Sequence, residues 1–264
     1  MYEFEYRRPA SRSAAAAQST ADTRYLAGGQ SLVQSMKLRL TQSERLVDLG
    51  GIADLQGITA DRDSVTIGAM TTHAAVGASA DVRRMIPALA DLAGGIGDPM
   101  VRTMGTIGGS IANADPAACY PAAVLGLGAQ VRTDRRTIEG DSFFKGLFET
   151  ALEPGELIVD VRFPALHRAA YVKHKQPASR FALVGVFVSR GPGGVRVAVT
   201  GAKSCVFRAK PLEEALATSF TPEAAKAIRL RADDINSDLH ASADYRAAMI
   251  SVMAARAVAI AATR

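Results

Sequence analysis

Tryptophan is absent from the 264-residue chain, and aromatic residues make up only 6% of it. Stacking of bases on aromatic rings is a usual basis of single-stranded nucleic-acid binding, so the composition argues against that function. The net charge of +5 would suit an anionic ligand or an acidic partner surface. No segment concentrates the lysines and arginines, however, so a basic solvated surface explains the charge as well. We expect no nucleic-acid partner.

Cysteine is scarce, because Cys119 and Cys205 are the only two in the chain. They cannot form a disulfide framework, and they cannot supply the four thiolates that an iron–sulfur cluster normally needs. The histidines are dispersed and match no zinc-binding pattern, so we predict no metal site in this chain. They are His73, His167, His174 and His240. Low cysteine usage fits a reducing compartment, and we expect a cytoplasmic location.

Long apolar runs and catalytic signatures are also missing. No run approaches the roughly 18 residues of a transmembrane helix, and the first residues lack the features of a signal peptide. We therefore expect no transmembrane segment and no export. The serines in the glycine-rich segments lack the G-x-S-x-G context of hydrolases, and no pair of residues stands out as a general acid and base. No catalytic residue is predicted.

The character of the chain changes near residue 167. Before it, short strand-like and helix-like pieces alternate; Thr72 is a candidate helix cap, and 82–93 has the spacing of one helix. A helix is predicted from about 117 to 127, and strands at 130–132 and 157–163. After the boundary, three strand-like segments precede helices, with a hairpin turn at Gly191-Pro192-Gly193-Gly194. We predict one domain over 1–167 and a second over 168–264.

Two double-glycine segments carry most of the functional signal. They are Tyr25-Leu26-Ala27-Gly28-Gly29-Gln30-Ser31-Leu32 and Thr106-Ile107-Gly108-Gly109-Ser110-Ile111-Ala112-Asn113. Adjacent glycines let the backbone approach a ligand, and consecutive N–H groups can form a concave anion site. A helix starting after Ser31 would add a favourable dipole. Two such loops could hold a pyrophosphate from both sides, although either alone could be an ordinary turn.

A Rossmann fingerprint competes poorly with this interpretation. Gly126-Leu127-Gly128 supplies two glycines, but Val131 stands where the third is needed. The segment before it also reads as a helix, whereas that fingerprint follows a strand.

The flanks of the two motifs make the pattern more specific. The matching segments are 27–32 with 36–40, 96–99 running on through 101–102 to 105–110, 112–118, 143–144 with Gly146, 153–158, and 177–179 leading into 182–186. Over nearly the whole chain, the sequence resembles the FAD-binding (medium) subunits of the carbon monoxide dehydrogenase and xanthine dehydrogenase family of molybdenum hydroxylases.

The resemblance implies an α+β fold. Its first part is a two-part FAD-binding domain of the vanillyl-alcohol-oxidase (PCMH) type, with subdomains of about 1–53 and 54–167. A small α+β C-terminal domain with an antiparallel sheet and helices follows. The family relation also implies two partners, a large molybdopterin-binding subunit and a small subunit with two [2Fe-2S] clusters, in a dimer of heterotrimers. FAD in this chain would relay electrons from the clusters to an external acceptor.

The resemblance also implies a set of cofactor-binding residues. They are Ala27, Gly28, Gly29, Gln30, Ser31, Leu32, Ile96, Thr106, Ile107, Gly108, Gly109, Ser110, Asn113, Asp115, Ile158 and Lys173. The glycine motifs would surround the pyrophosphate, and Ile96 and Ile158 would lie near the flavin or adenine. Lys173 would lie near the isoalloxazine. The residues alone leave other roles open, since both isoleucines could be plain core and Lys173 a solvated strand residue.

One position departs from the family pattern. Cys119 stands where the family commonly has an aspartate that can bind sugar or ribityl hydroxyls, and a thiol is a poor acceptor there. Either Asp115 or backbone groups replace this contact, or it is missing. Gln30 replaces a histidine of some relatives and keeps a side-chain donor.

Two other functions stay open from the sequence. A stand-alone flavin oxidase or reductase could use the same binding architecture. Such enzymes often tether the flavin covalently, and Cys119 is the only nearby candidate, at a position expected to lie away from the ring. The other function is a non-enzymatic nucleotide-binding module that has lost its flavin, although the intact glycine motifs argue against it.

Overall fold

The computed structural model describes residues 1–264 and contains four small sheets. The strands are β1 (Glu5–Arg7), β2 (Thr23–Leu26), β3 (Arg45–Asp48), β4 (Ile58–Ala60), β5 (Ser64–Gly68), β6 (Gln130–Thr133), β7 (Thr137–Glu139), β8 (Phe144–Gly146), β9 (Glu149–Thr150), β10 (Ile158–Pro164), β11 (Ala169–Lys175), β12 (Ala182–Gly191), β13 (Gly194–Thr200) and β14 (Phe207–Arg208).

Helices fill the connections between the strands. They are α1 (Arg12–Ala16), α2 (Leu32–Lys37), α3 (His73–Ala78), α4 (Ala80–Met85), α5 (Pro87–Gly94), α6 (Pro99–Met104), α7 (Ile107–Asn113), α8 (Tyr120–Leu127), α9 (Gly140–Phe143), α10 (Lys210–Thr218), α11 (Pro222–Ala227) and α12 (Ala243–Ala261). None of these helices combines the length and the apolar character that crossing a membrane requires.

The first sheet is parallel and has the order β1-β3-β2. It packs on a small core in which Val47 and Ile52 are fully buried. Val159 of β10 and Leu157, which directly precedes that strand, belong to the same core. Because β2 ends at Leu26, the first glycine motif leaves the sheet at the same end as the carboxyl terminus of β3. The sheet therefore fixes the direction in which this motif leaves.

The second sheet has the order β4-β5-β10-β6-β7, with antiparallel pairs throughout. The chain leaves after β5 and returns at β6, and α3 to α8 lie in between. These helices and the sheet share the largest core of the protein. The prediction of strands at 130–132 and 157–163 matches β6 and β10 to within one residue.

Three helix predictions in this region have different outcomes. Thr72 caps α3 as predicted, because its Oγ1 accepts the N–H of Ala75. The single helix over 82–93 is wrong: Pro87 restricts Ile86 to a non-helical conformation, and the chain forms α4 and α5. The helix predicted from residue 117 begins only at Tyr120.

The C-terminal sheet is an antiparallel meander in the order β11-β12-β13-β14. The hairpin predicted at residues 191–194 joins β12 to β13, and Gly194 has a φ of +94°, which favours glycine. The helix α12 lies across β11 and β12 and covers one face of the sheet.

The other face of this sheet contacts α8. The ring of Phe187 is fully buried in the largest core, where it stacks on Tyr171 at a centroid distance of 6.3 Å. Ser189 Oγ donates a hydrogen bond of 2.6 Å to the carbonyl of Gly126, and Arg196 Nε donates one of 2.7 Å to the carbonyl of Leu125. The C-terminal sheet thus satisfies the carbonyl of Gly126 at the end of α8 and gives the Leu125 carbonyl a second donor beside the N–H of Gly128.

Candidate cofactor site

A cavity of about 490 Å³ lies where the first sheet, the helices α6 to α8 and the strand β11 meet. Its volume falls in the range of small-molecule and cofactor sites. Fifteen of the sixteen predicted binding residues line it, and Ile107 is the exception. The side chain of Ile107 is fully buried in the core, so it supports the motif without reaching the cavity.

The first glycine motif presents unpaired backbone donors. The N–H groups of Gly28, Gly29, Gln30 and Ser31 form no hydrogen bond within the protein. Ser31 occupies the position before α2, but its side chain accepts no capping hydrogen bond and stays available. Four consecutive free N–H groups on a cavity wall favour an anion, because each needs an acceptor.

Gly28 sits against the end of α6. A Cβ added there would lie 2.7 Å from the carbonyl carbon of Met104 and 2.8 Å from Cα of Gly105, and still closer to the Met104 carbonyl oxygen. All of these are backbone atoms that cannot rotate away. Glycine is required here because the two backbone segments touch, which brings the first motif next to the second.

The second motif differs from the predicted loop. It forms the first turns of α7, and Thr106 Oγ1 caps the helix by accepting the N–H of Gly109 at 3.1 Å. The N–H groups of Ile107 and Gly108 donate to the carbonyls of Thr71 and Ala69 at 3.1 and 2.8 Å. The N–H groups of residues 107–110 are thus already bonded, so the expectation that consecutive free backbone donors line the cavity is wrong for this part of the second motif. Ser110 and Asn113, whose side chains are polar, line the cavity.

The other predicted residues give the cavity wall an apolar part and a polar part. Ile96 and Ile158 supply apolar surface, and Ile158 is also part of the main core. Asp115 accepts the N–H of Ala117 at 2.8 Å. Burial raises the pKa of the Asp115 carboxyl, and the hydrogen bond from Ala117 opposes that shift.

Lys173 and Cys119 meet inside the cavity. Lys173 is on β11 and Cys119 immediately precedes α8, and Nζ of the lysine lies 3.3 Å from Sγ of the cysteine. The sequence placed Lys173 near the isoalloxazine and Cys119 away from it. The structure therefore places the two side chains in the same part of the cavity.

Four further cavity residues were not among the predicted binding residues. They are His73, Glu156, Arg180 and Phe181. Arg180 donates a 3.3 Å hydrogen bond to the carbonyl of Gly97, which joins the segment after β11 to the loop before α6. Glu156 accepts hydrogen bonds from Arg136 and Thr133, and the bond from Arg136 is the main cause that lowers its pKa to about 2. Its charge is thereby neutralised within the wall.

His73 is the most unusual of them. It is 5% exposed, its ring lies 5.3 Å from the Tyr120 ring, and its Nδ1 has no hydrogen-bond partner. Burial, with a smaller contribution from the positive charge of Arg102, lowers the His73 pKa from 6.5 to about 4. The imidazole is therefore neutral at pH 7.

The low pKa of His73 predicts a pH-dependent loss of stability. The unfolded state takes up a proton near pH 6.5, whereas the folded state resists it until about pH 4. The free energy of unfolding should fall by about 3 kcal/mol as the pH drops through this window. Urea titrations at pH 7 and pH 4.5 test this, because His73→Asn should show a smaller pH difference than wild type. Equal differences in the two proteins would contradict it.

The site combines features that fit a flavin dinucleotide. The free N–H groups of 28–31 suit a pyrophosphate, the hydroxyl and amide groups of Ser110 and Asn113 suit sugar or phosphate oxygens, and isoleucines line an apolar part. A Cβ at Gly28 would collide with the backbone of Met104 and Gly105, so the first motif needs glycine there. These contacts require no metal and no nucleophile, so the geometry defines a nucleotide-cofactor binding protein.

Comparisons with known proteins agree with this class. The family model described as "FAD binding domain in molybdopterin dehydrogenase" matches residues 2–166. The chain is 37% identical to the carbon monoxide dehydrogenase medium chain of Hydrogenophaga pseudoflava, over 97% of this chain and 96% of that one. It is 32% identical to the nicotine 6-hydroxylase medium subunit of Paenarthrobacter nicotinovorans, over 92% and 91% of the two chains. A chain of reconstituted carbon monoxide dehydrogenase from Oligotropha carboxidovorans superposes with a TM-score of 0.88 at 34% identity, covering 100% of this chain and 99% of that one.

The fold and site therefore define an FAD-binding component of an oxidoreductase. The chain belongs to the FAD-binding medium-subunit family of the molybdenum hydroxylases, which includes the carbon monoxide and xanthine dehydrogenases. The predicted family and the α+β fold with a PCMH-type FAD domain are confirmed.

Proposed function

We propose that this chain relays electrons through FAD inside a heterotrimeric molybdenum hydroxylase. Its partners would be a large molybdopterin-binding subunit and a small subunit with two [2Fe-2S] clusters. The observation that carries the proposal is the run of free N–H groups at Gly28 to Ser31 on the wall of the cavity. Such a site binds and orients a redox cofactor and leaves substrate chemistry to another subunit.

The residues of this chain have distinct roles in the proposal. The free N–H groups of 28–31 hold the pyrophosphate, and Ser110 and Asn113 donate to oxygens of the dinucleotide. Ile96 and Ile158 exclude water from the apolar part, and Lys173 places a positive charge on the wall formed by β11. When bound, FAD supplies the two-electron chemistry. The other predicted residues that line the cavity are likewise proposed to contact FAD.

We further propose the assembly and the domain division. Residues 1–53 and 54–167 would form the two parts of the FAD domain, and residues 168–264 the C-terminal domain. A dimer of heterotrimers in the cytoplasm is the expected assembly. The medium chain of carbon monoxide dehydrogenase and the nicotine 6-hydroxylase medium subunit are by name parts of such multi-subunit enzymes.

The test is purification of the native assembly followed by release and identification of its chromophores. We expect FAD in this chain, and iron–sulfur absorbance in a co-purifying chain. We also expect the isolated chain to bind FAD and to show no hydroxylase activity. FAD in a chain that turns over an organic substrate alone would favour a stand-alone flavoenzyme. A chain that takes up no FAD after reconstitution would overturn the proposal.

A further inference from the structure

The cavity contains a cation that no acidic group neutralises. Lys173 forms no salt bridge, and its polar side-chain contact is Sγ of Cys119 at 3.3 Å. The Cys119 side chain is only 5% exposed, so the contact lies well inside the protein. A thiol carries no formal charge, and the ammonium group therefore meets the cavity with its charge uncompensated.

The acidic groups that line the same cavity have other partners. The carboxylate of Glu156 is bound by Arg136 and Thr133. Asp115 accepts the N–H of Ala117, and burial disfavours its charged form. On the strand next to Lys173, the register partner is Gly185, which has no side chain to offer. A charge in such a partly buried site acts more strongly than one at the surface.

We propose that Cys119 sets the reduction potential of the cofactor through Lys173, an inference that rests on the proposed function. A carboxylate at position 119 would pair with the lysine, whereas the thiol of Cys119 does not neutralise its charge. The cation is therefore free to stabilise the electron-rich reduced flavin. The step concerned is FAD + 2 e⁻ + H⁺ → FADH⁻, with electrons supplied by the partner clusters. Positive charge near the flavin favours the anionic product and raises the potential. Cys119 acts here as a positioning residue.

Spectroelectrochemical titration of the FAD-loaded full-length chain tests this proposal. Cys119→Asp places a carboxylate beside Lys173, and Lys173→Met removes the cation. Each should reduce the preference for reduced over oxidised FAD about tenfold, a fall in potential of about 30 mV for a two-electron couple. The matched control Cys119→Ser keeps an uncharged polar group of similar size and should leave the potential unchanged.

A second readout tests whether the pair lies beneath the cofactor. Bound FAD should slow alkylation of Cys119 by iodoacetamide at least tenfold, whereas Cys205, which is outside the cavity, serves as the internal control. Equal rates for Cys119 with and without FAD would overturn the proposal. The proposal would also be overturned if Cys119→Asp left the reduction potential unchanged or raised it. The same holds if Cys119→Ser lowered the potential as much as Cys119→Asp does.

These outcomes separate the two proposals. A chain that binds no FAD refutes the electron-relay function itself. A chain that binds stoichiometric FAD with a potential insensitive to Cys119→Asp and Lys173→Met refutes only the role of Cys119.

Discussion

Alanine at position 28 is expected to weaken FAD binding by about fivefold to about 150-fold. The new methyl group would meet the backbone of Met104 and Gly105 at distances no real contact shows, and neither segment is a flexible side chain. Overpacking of this kind costs about 1–3 kcal/mol, and each 1.4 kcal/mol is a factor of ten in affinity. Relief of the clash requires the first motif to move away from the end of α6. Calorimetric titration of the apo chain with FAD measures the loss.

Gly193→Ala is the matched control for this substitution. Gly193 lies in the β12–β13 hairpin, and an added Cβ would have no atom within 4 Å. Its effect on FAD affinity should stay within about twofold, as for surface substitutions away from special features. Wild-type affinity in Gly28→Ala, with circular dichroism showing an unchanged fold, would remove the first motif from the binding site.

Truncation of Phe187 to alanine is expected to cost about 3–5 kcal/mol of unfolding free energy. The ring is fully buried, it comes from the C-terminal sheet, and it packs in the largest core next to Tyr171 and α8. A Cβ on Gly126 would lie 2.9 Å from Cγ of this ring, so helix and sheet are already in tight contact. The cavity left by truncation would open at that junction. Urea denaturation monitored by circular dichroism measures the change.

Phe148→Ala provides the comparison for Phe187. The Phe148 side chain is 58% exposed at the tip of the β8–β9 hairpin, and its loss should change stability by no more than about 0.5 kcal/mol. Equal denaturation midpoints for the two variants would show that the Phe187 ring does not hold the sheet against α8. A selective loss in Phe187→Ala should also weaken FAD binding, because Tyr171 and Lys173 lie on the adjoining strand.

Much of the fold is encoded locally. The hairpin at 191–194 and the helices predicted after the C-terminal strand-like segments follow from glycine placement and helical spacing, and both are present. The strand β1 was not predicted, because its three polar residues pair only with the distant β3. The helix α6 was also not predicted, because none of its residues is buried and its sequence therefore has no apolar stripe. The start of α6 depends on Asp98, whose side chain accepts the N–H of Val101.

The site could be predicted from the sequence only in part. The glycine motifs identify the cavity wall because close backbone approach requires glycine at Gly28. Which N–H groups remain free could not be predicted, since the N–H of Gly108 is bonded to the carbonyl of Ala69, far away in sequence. His73 and Arg180 likewise reach the cavity through tertiary packing alone. Local patterns thus locate part of the cavity wall, and long-range hydrogen bonds decide which of its backbone groups remain free.

The participation of β11 in the cavity has a consequence for chimeric proteins. The family's sequence match ends at residue 166, whereas Lys173, Arg180 and Phe181 complete the cavity wall from beyond it. A fragment that ends with the match would keep both glycine motifs and lose this side of the cavity. Exchange of residues 168–264 between two relatives would therefore replace Lys173 while leaving both glycine motifs in place. Such a chimera would also take the two members of the Lys173–Cys119 pair from different relatives.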